Sequence, residues 1–482
     1  LGCNPFSPEK NLQKISLKSN PMSNISTLIQ KYDVPTPRYT SYPTVPYWDE
    51  STFDAHTWQQ LVREAFERNR TGGLSLYIHL PFCEKLCTYC GCNKRITTNH
   101  KVEEPYINSV LREWDMYLAL FDQKPVLKEL HLGGGTPTFF SPHNLQHLLG
   151  NILQQVTPAP EHEFSFEAHP NNTTAQHLQT LYNLGFSRLS LGIQDFDERV
   201  QFIINRPQTF EKTKQTFDEA RQIGYQSINA DIIFGLPLQT EDSIRLTIGR
   251  VCELMPERIA FYSYAHVPWK SPAQRRYTEA DLPKAEAKRR LYELGRELLQ
   301  KAGYIEIGMD HFALPNDALF KSVNNGTMHR NFMGYTTQHT ELMLGLGVSS
   351  ISDTWTAFAQ NHKEVEEYEA IVNSGQLPVV KGHILNNEDQ YIRRHILNLM
   401  CQGTTSWDTN STYAPLMQET LQRLQPLAND GLVILSTNNI PNQVQVTITE
   451  NGKLFLRNIA LQFDTRYWGK QANDKPVFSK SI

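Results

Sequence analysis

Three cysteines, Cys83, Cys87 and Cys90, have C-x3-C-x2-C spacing and carry the clearest chemical signal in this chain. They lie in Tyr77-Ile78-His79-Leu80-Pro81-Phe82-Cys83-Glu84-Lys85-Leu86-Cys87-Thr88-Tyr89-Cys90-Gly91-Cys92-Asn93-Lys94. Thiolates are soft ligands suited to iron–sulfur clusters. Three on one short loop can hold three irons of a [4Fe–4S] cube and leave the fourth open to a small molecule. S-adenosylmethionine can chelate such an iron through its amino and carboxylate groups. An electron from the cluster then cleaves the sulfonium, giving methionine and a 5′-deoxyadenosyl radical. Zinc is the main competing reading, but structural zinc sites pair their ligands across a longer loop, and no second pair exists here. A fourth thiolate from Cys92 would close the open iron, so Cys92 is read as a non-ligand near the cofactor.

Two further features point the same way. Gly133-Gly134-Gly135-Thr136-Pro137 follows a strand-like run, and a glycine triplet exposes backbone polar groups to a ligand. Glu167, Gln194, Arg206 and Asp231 fall at or after the ends of later strand-like runs. Each alone could be an ordinary structural or solvated polar residue. Together they offer carboxylates for an ammonium or ribose hydroxyls, and an amide and a guanidinium for a carboxylate or adenine edge.

The elements that must position these residues are legible as an alternation. Short β-branched or alternating runs cover Ser75–Leu80, Glu129–Leu132, Glu163–Ala168, Arg188–Ile193, Ser227–Phe234 and Arg258–Tyr264. Helical patterns lie between them, such as Thr209–Gln222 with Gly224 as its stop. Six strand–helix units in series predict an α/β fold, a partial (βα)6-type barrel of parallel strands. Tyr304–Met309 is a possible seventh strand. From about Asn387 the order helix, strand, turn, strand, helix resembles a winged-helix module. No basic face accompanies it, which favours a packing role over DNA binding. The expected organisation is an extension over 1–21, an N-terminal segment over 22–74, the barrel core with additions over 75–365, and a C-terminal, mostly helical domain over 366–482. Residues 1–21 are read as disordered or non-native, since Met22 opens the first domain-like sequence.

Bulk composition narrows the classes. The chain has 482 residues, 39% hydrophobic and 20% charged, with a formal net charge of −4. A mildly acidic chain has no bulk attraction to nucleic acid. No apolar run approaches the roughly 20 residues that span a bilayer. Seven cysteines, four of them clustered between positions 83 and 92, argue against a disulfide framework. They argue for a metal site in a reducing compartment, hence the cytoplasm.

The stretch YIHLPFCEKLCTYCGCNK resembles the oxygen-independent coproporphyrinogen III oxidase family of the radical S-adenosylmethionine (SAM) superfamily. So do PRYTSYPT (Pro37–Thr44), HLGGGTPT (His131–Thr138), SRLSLGIQDF (Ser187–Phe196), DIIFGLP (Asp231–Pro237), YAHVP (Tyr264–Pro268), GMDHFA (Gly308–Ala313), HRNFMGYTT (His329–Thr337) and GLGVSSIS (Gly345–Ser352). The resemblance implies a [4Fe–4S] cluster on Cys83, Cys87 and Cys90 and two S-adenosylmethionine molecules. The first would meet Tyr77, Gly134, Glu167 and Ile351. The second would meet Tyr89, Gly135, Thr136, Gln194, Arg206, Asp231 and Ala265. The implied reaction takes coproporphyrinogen III to protoporphyrinogen IX, with a separate reductant as electron donor. A monomer that binds neither nucleic acid nor membrane is expected. Arg38, Lys94, Arg275 and Arg330 are candidate partners for the substrate's four propionates. The family outline is kept near the C-terminus, but Ala460, Leu461 and Gln462 stand where well-known members carry Cys and Met, so no sulfur role applies there. The nearest rival is a haem chaperone of the same superfamily. A radical enzyme acting on RNA and a purely structural iron–sulfur protein are more distant ones.

Overall fold

The computed structural model describes residues 25–49, 53–269, 271–437, 442–469 and 478. The expected extension over 1–21, with Cys3, lies outside the described residues.

The six expected strands form as β1 (Leu74–Leu80), β2 (Val126–Gly134), β3 (Thr157–Ala168), β4 (Arg188–Gln194), β5 (Ser227–Phe234) and β6 (Arg258–Ser263). They pair in sequence order, every pair parallel. A further parallel strand, β7 (Leu342–Leu346), pairs with β1 on its other side and sets Tyr77 opposite Gly345. The possible strand at Tyr304–Met309 is only Ile305–Ile307, and it pairs antiparallel with His311–Ala313 at the sheet's edge. It therefore does not extend the parallel series. Beyond β7 the sheet continues through three antiparallel strands, Ile351–Asp353, Ala357–Asn361 and Val379–Ile384. The two end strands do not pair with each other, so the barrel is partial.

Period-two alternation sorts the strands' side chains. In β3, Phe164 and Phe166 face the outer helices, while Glu163, Ser165 and Glu167 line a cavity. In β4, Leu191 and Ile193 go outward, and Arg188, Ser190 and Gln194 inward. The helices are amphipathic and capped. Pro142–Gln154 buries Leu145, Leu148, Leu149 and Ile152, and its N-cap Ser141 accepts from the Asn144 amide. Phe210–Ile223 starts at Thr209 and stops at Gly224, whose φ of +117° suits glycine.

The C-terminal module has the expected winged-helix outline with one more strand. Helices Asn387–Gln402 and Ala414–Asn429 pack on a three-stranded antiparallel sheet of Thr404–Asp408, Gln443–Ile448 and Val433–Thr437. Its core includes Leu28, Ile29, Tyr39 and Tyr42 of the N-terminal segment. Tyr39 donates from its hydroxyl to Asp464 at 3.0 Å, and Asn458 donates to the Tyr32 carbonyl at 2.7 Å. Among the described residues, no helix is long and apolar enough to cross a membrane.

Candidate active site

The cysteine loop leaves β1 and is fixed by backbone bonds on both sides. The Gly135 amide donates to the Leu80 carbonyl and the Thr136 amide to Phe82, tying the glycine turn after β2 to the loop's start. Arg95 and Thr97 amides return to Pro81 and Cys83. His79 contacts the Asn93 carbonyl through Nε2 at 2.9 Å. Lys94 Nζ donates to the Cys90 carbonyl at 3.1 Å, and Ser271 reaches the same oxygen at 3.2 Å. Across the mouth, Thr88 donates through its amide and hydroxyl to Ile204 and Ile203.

The loop roofs a cavity of about 430 Å³ inside the barrel. Cys83, Cys87 and Cys90 line its mouth, at the C-terminal ends of the parallel strands. Thr136 Oγ1 lies 3.3 Å from Cys83 Sγ, and Arg206 donates through Nη1 to Cys87 Sγ at 3.4 Å. Burial pushes the Cys83 thiol up to about 11. Of the neighbouring pair, a hydrogen bond with Cys92 lowers Cys90 first of all, and the same contact raises Cys92. Among the described residues, no three His, Cys, Asp or Glu side chains are grouped around a single metal ion. A cube whose irons each take one thiolate does not require that grouping.

The polar set expected from the sequence surrounds this mouth. Gly134, Gly135, Thr136, Tyr89, Glu167, Gln194, Arg206 and Asp231 all line the cavity. Gln194 adopts φ +69° at a register shift in the β4–β5 pairing, so a bulge turns the strand's end. Arg206 donates to the Gly192 carbonyl at 2.6 Å and follows Asn205, itself at φ +54°. Asn205 Nδ2 donates to the Leu86 carbonyl at 2.7 Å. Asp231 accepts from Ser190 at 2.9 Å and from Asn229 at 2.7 Å. Burial, then Glu167, raises it to about 6. The Arg206 Nε and Asn229 Oδ1 atoms are buried without protein partners. Buried polar atoms need partners, so the wall suits a polar ligand, and the soft donors at the mouth suit an iron–sulfur cluster.

Three expected residues stand outside the cavity lining. Tyr77 lies behind it, its ring 6.0 Å from His131 at 18° and its hydroxyl 3.1 Å from His79. A Cβ at Gly133 would lie 2.9 Å from the Tyr77 ring and 3.2 Å from Glu167 Oε1, so Tyr77 and Glu167 meet there. The Ala265 carbonyl accepts from Gln274, which also donates to Tyr89. Ile351 is on the antiparallel side, where a Cβ on Gly345 would lie 2.6 Å from its carbonyl oxygen.

The propionate candidates disperse. Lys94 sits at the mouth, and Arg275 is exposed, donating to the Pro268 carbonyl. Arg38 lies 3.8 Å from Asp310 and donates to the Ser263 carbonyl, and Arg330 is buried with its guanidinium 4.5 Å over Tyr335.

The cavity floor was not anticipated. Arg188 pairs with Glu163, and Arg258 donates through Nε to Asp317 at 2.6 Å. Glu129 accepts from Ser75 and Thr336. His311, also on the wall, pairs with Asp310 at 2.6 Å. A signal existed: Arg188 and Arg258 open runs that are otherwise largely apolar.

Residues 77–251 match the radical SAM superfamily. An oxygen-independent coproporphyrinogen III oxidase from Pseudomonas aeruginosa is 37% identical over 91% of this chain and 95% of its own length. The chain belongs to the oxygen-independent coproporphyrinogen III oxidase family. The family's Escherichia coli protein is 38% identical over 91% of this chain and 94% of its own. The solved structure of coproporphyrinogen III oxidase from Escherichia coli, described as a radical SAM enzyme, superposes with a TM-score of 0.83 at 36% identity. That match covers 91% of this chain and 98% of the other. The family's fold thus extends through the C-terminal module, well beyond the stretch matched at superfamily level.

Proposed function

We propose that this chain carries out the oxygen-independent oxidative decarboxylation of coproporphyrinogen III to protoporphyrinogen IX, in porphyrin and haem biosynthesis. One observation carries the reading. Three thiols stand at the strand-end mouth of a buried polar cavity, in a chain alike over nine-tenths of its length to coproporphyrinogen III oxidases. No observation here favours the haem chaperone.

In this reading Cys83, Cys87 and Cys90 hold a [4Fe–4S] cluster. When bound, the cluster with S-adenosylmethionine supplies a carbon radical able to take a hydrogen atom from the propionate β-carbon. The protein's own residues position and shield. Thr136 and Arg206 place hydrogen-bond donors at Cys83 and Cys87, and such bonds to cluster sulfurs tune potential. Two S-adenosylmethionine molecules are proposed. Tyr77, Gly134, Glu167 and Ile351 contact the first. Tyr89, Gly135, Thr136, Gln194, Arg206, Asp231 and Ala265 contact the second. Gln194 and Arg206 suit a carboxylate, and Glu167 and Asp231 suit an ammonium or ribose hydroxyls. Burial of the wall keeps water from the reacting carbon. The proposed setting is cytoplasmic and monomeric, with a separate one-electron donor and no nucleic-acid or membrane partner. The need to keep the thiols reduced supports the compartment.

Anaerobic protein with reconstituted cluster, given coproporphyrinogen III, S-adenosylmethionine and a reductant, should form protoporphyrinogen IX. Haem binding without turnover would overturn this reading. Cys87→Ala should lower bound iron from about four per chain and abolish turnover. Full iron and full activity in that variant would remove Cys87 from the ligand set.

A further inference from the structure

The face outside the thiol loop has an apolar centre and a positive rim. Phe202 is 72% exposed, Trp269 65% and Leu86 36%. All three belong to segments in direct contact with the loop or forming it. Asn205 donates to the Leu86 carbonyl, Ile203 and Ile204 accept from Thr88, and Ser271 and Gln274 donate to the Cys90 and Tyr89 carbonyls. Arg276 lies 5.3 Å over the Phe202 ring and so joins the two flanking segments. Arg275 and Arg276 are exposed, and neither is ion-paired among the described residues. Asp197 pairs with Arg199, and of the other charges in the groove beside Phe202, Lys212, Arg250 and Arg276 outnumber Glu198 and Glu211.

Apolar side chains bared together around one loop form the kind of patch that marks an interaction site. Apolar anchors inside a charged rim are the usual make-up of a transient protein interface. Electron tunnelling falls steeply with distance, so a donor must seat where the thiol loop comes nearest to solvent. The cavity side of that loop is committed to small-molecule ligands, which leaves this outer face.

We infer that the surface around Phe202, Leu86, Trp269 and Arg276 docks a small acidic one-electron carrier protein that reduces the cluster. The inference rests on the proposed function above. Balance is simple: the reduced carrier loses one electron and the oxidised cluster gains it, with no bond made or broken. Rim cations steer the acidic partner, so binding weakens with salt.

The test uses the reconstituted enzyme with reduced flavodoxin as the protein donor and dithionite as the small one. A plant-type ferredoxin in a parallel arm distinguishes flavin from iron–sulfur carriers. Phe202→Ser and Arg276→Glu should each weaken flavodoxin or ferredoxin binding by about tenfold in titration calorimetry, the scale of one interface anchor. They should slow turnover driven by that carrier while leaving dithionite-driven turnover unchanged. Unchanged carrier affinity in both variants overturns the proposal, as does equal loss with carrier and dithionite. A change of oligomeric mass with unaltered carrier affinity makes the patch a self-association face, which also overturns it. Absence of turnover in the parent enzyme with dithionite would instead remove the proposed function, while calorimetry still decides the docking.

Discussion

At the cavity wall, Asp231 accepts hydrogen bonds from Ser190 and Asn229, and burial with Glu167 lifts it to about 6. Unfolded, the same carboxyl titrates near 4. The folded chain therefore keeps a proton there that the unfolded chain gives up. This contribution to stability is complete below about pH 4 and is lost as pH rises through about 6. Asp231→Asn removes the titration and keeps a group able to bond both neighbours. The melting temperature of the parent should fall relative to this variant between about pH 4 and 7, by a gap worth on the order of 2–3 kcal/mol at most. A gap constant with pH would show that burial does not hold that proton. At the floor, Arg188 and Arg258 were visible as charges opening apolar runs, but their partners were not. Arg188 finds Glu163 twenty-five positions away, and Arg258 finds Asp317 fifty-nine away. Such pairings depend on strand order, which single residues do not announce.

Among the elements, the turn after β2 carries the narrowest tolerance. A Cβ on Gly135 would lie 2.4 Å from the Pro81 carbonyl oxygen and 2.8 Å from that of Phe82. Both are backbone atoms bonded into the cysteine loop, so neither can yield cheaply. Gly135→Ala should cost about 1–3 kcal/mol in a denaturation titration and reduce reconstituted iron. Gly91, inside the loop itself, has open space at its Cβ position. Gly91→Ala should stay within about 0.5 kcal/mol of the parent. Equal stability of the two variants would refute the close approach. Strands β1 to β6 were legible because each run is either β-branched or alternates apolar with polar residues, with helical patterns between the runs. β7 escaped because Leu-Met-Leu-Gly-Leu is buried throughout and shows neither alternation nor β-branching, and it stood out only as part of a family motif. Tyr304–Met309 misled because its apolar residues serve a three-residue edge strand. Of the site, the thiols and the strand-end polar set were readable from position. Tyr77, Ala265 and Ile351 came from resemblance alone, and none of the three lines the cavity.

For the molecule as a whole, the join between barrel and C-terminal module combines shared apolar core with a buried charge pair. Arg393, on the helix Asn387–Gln402, forks onto Asp353 of the strand Ile351–Asp353 and stacks 4.2 Å from the Trp355 ring. Both charged residues are under 10% exposed. Arg393→Met leaves Asp353 buried and unpaired, which should cost about 3–5 kcal/mol in denaturant unfolding. A loss below about 1 kcal/mol would mean that the module is held by its apolar core alone. The unpaired ends of the sheet have a consequence for what this barrel can accept. A ring of eight closed strands has a bore just wide enough for its own side chains. An arc with a seam has no such fixed girth. Its clearance is set by whatever bridges the gap, here the N-terminal segment, which reaches Ser263 and Asp310 through Arg38 near one end and His383 through the Asp49 amide near the other, so girth can change there while the sulfur-bearing end stays the same.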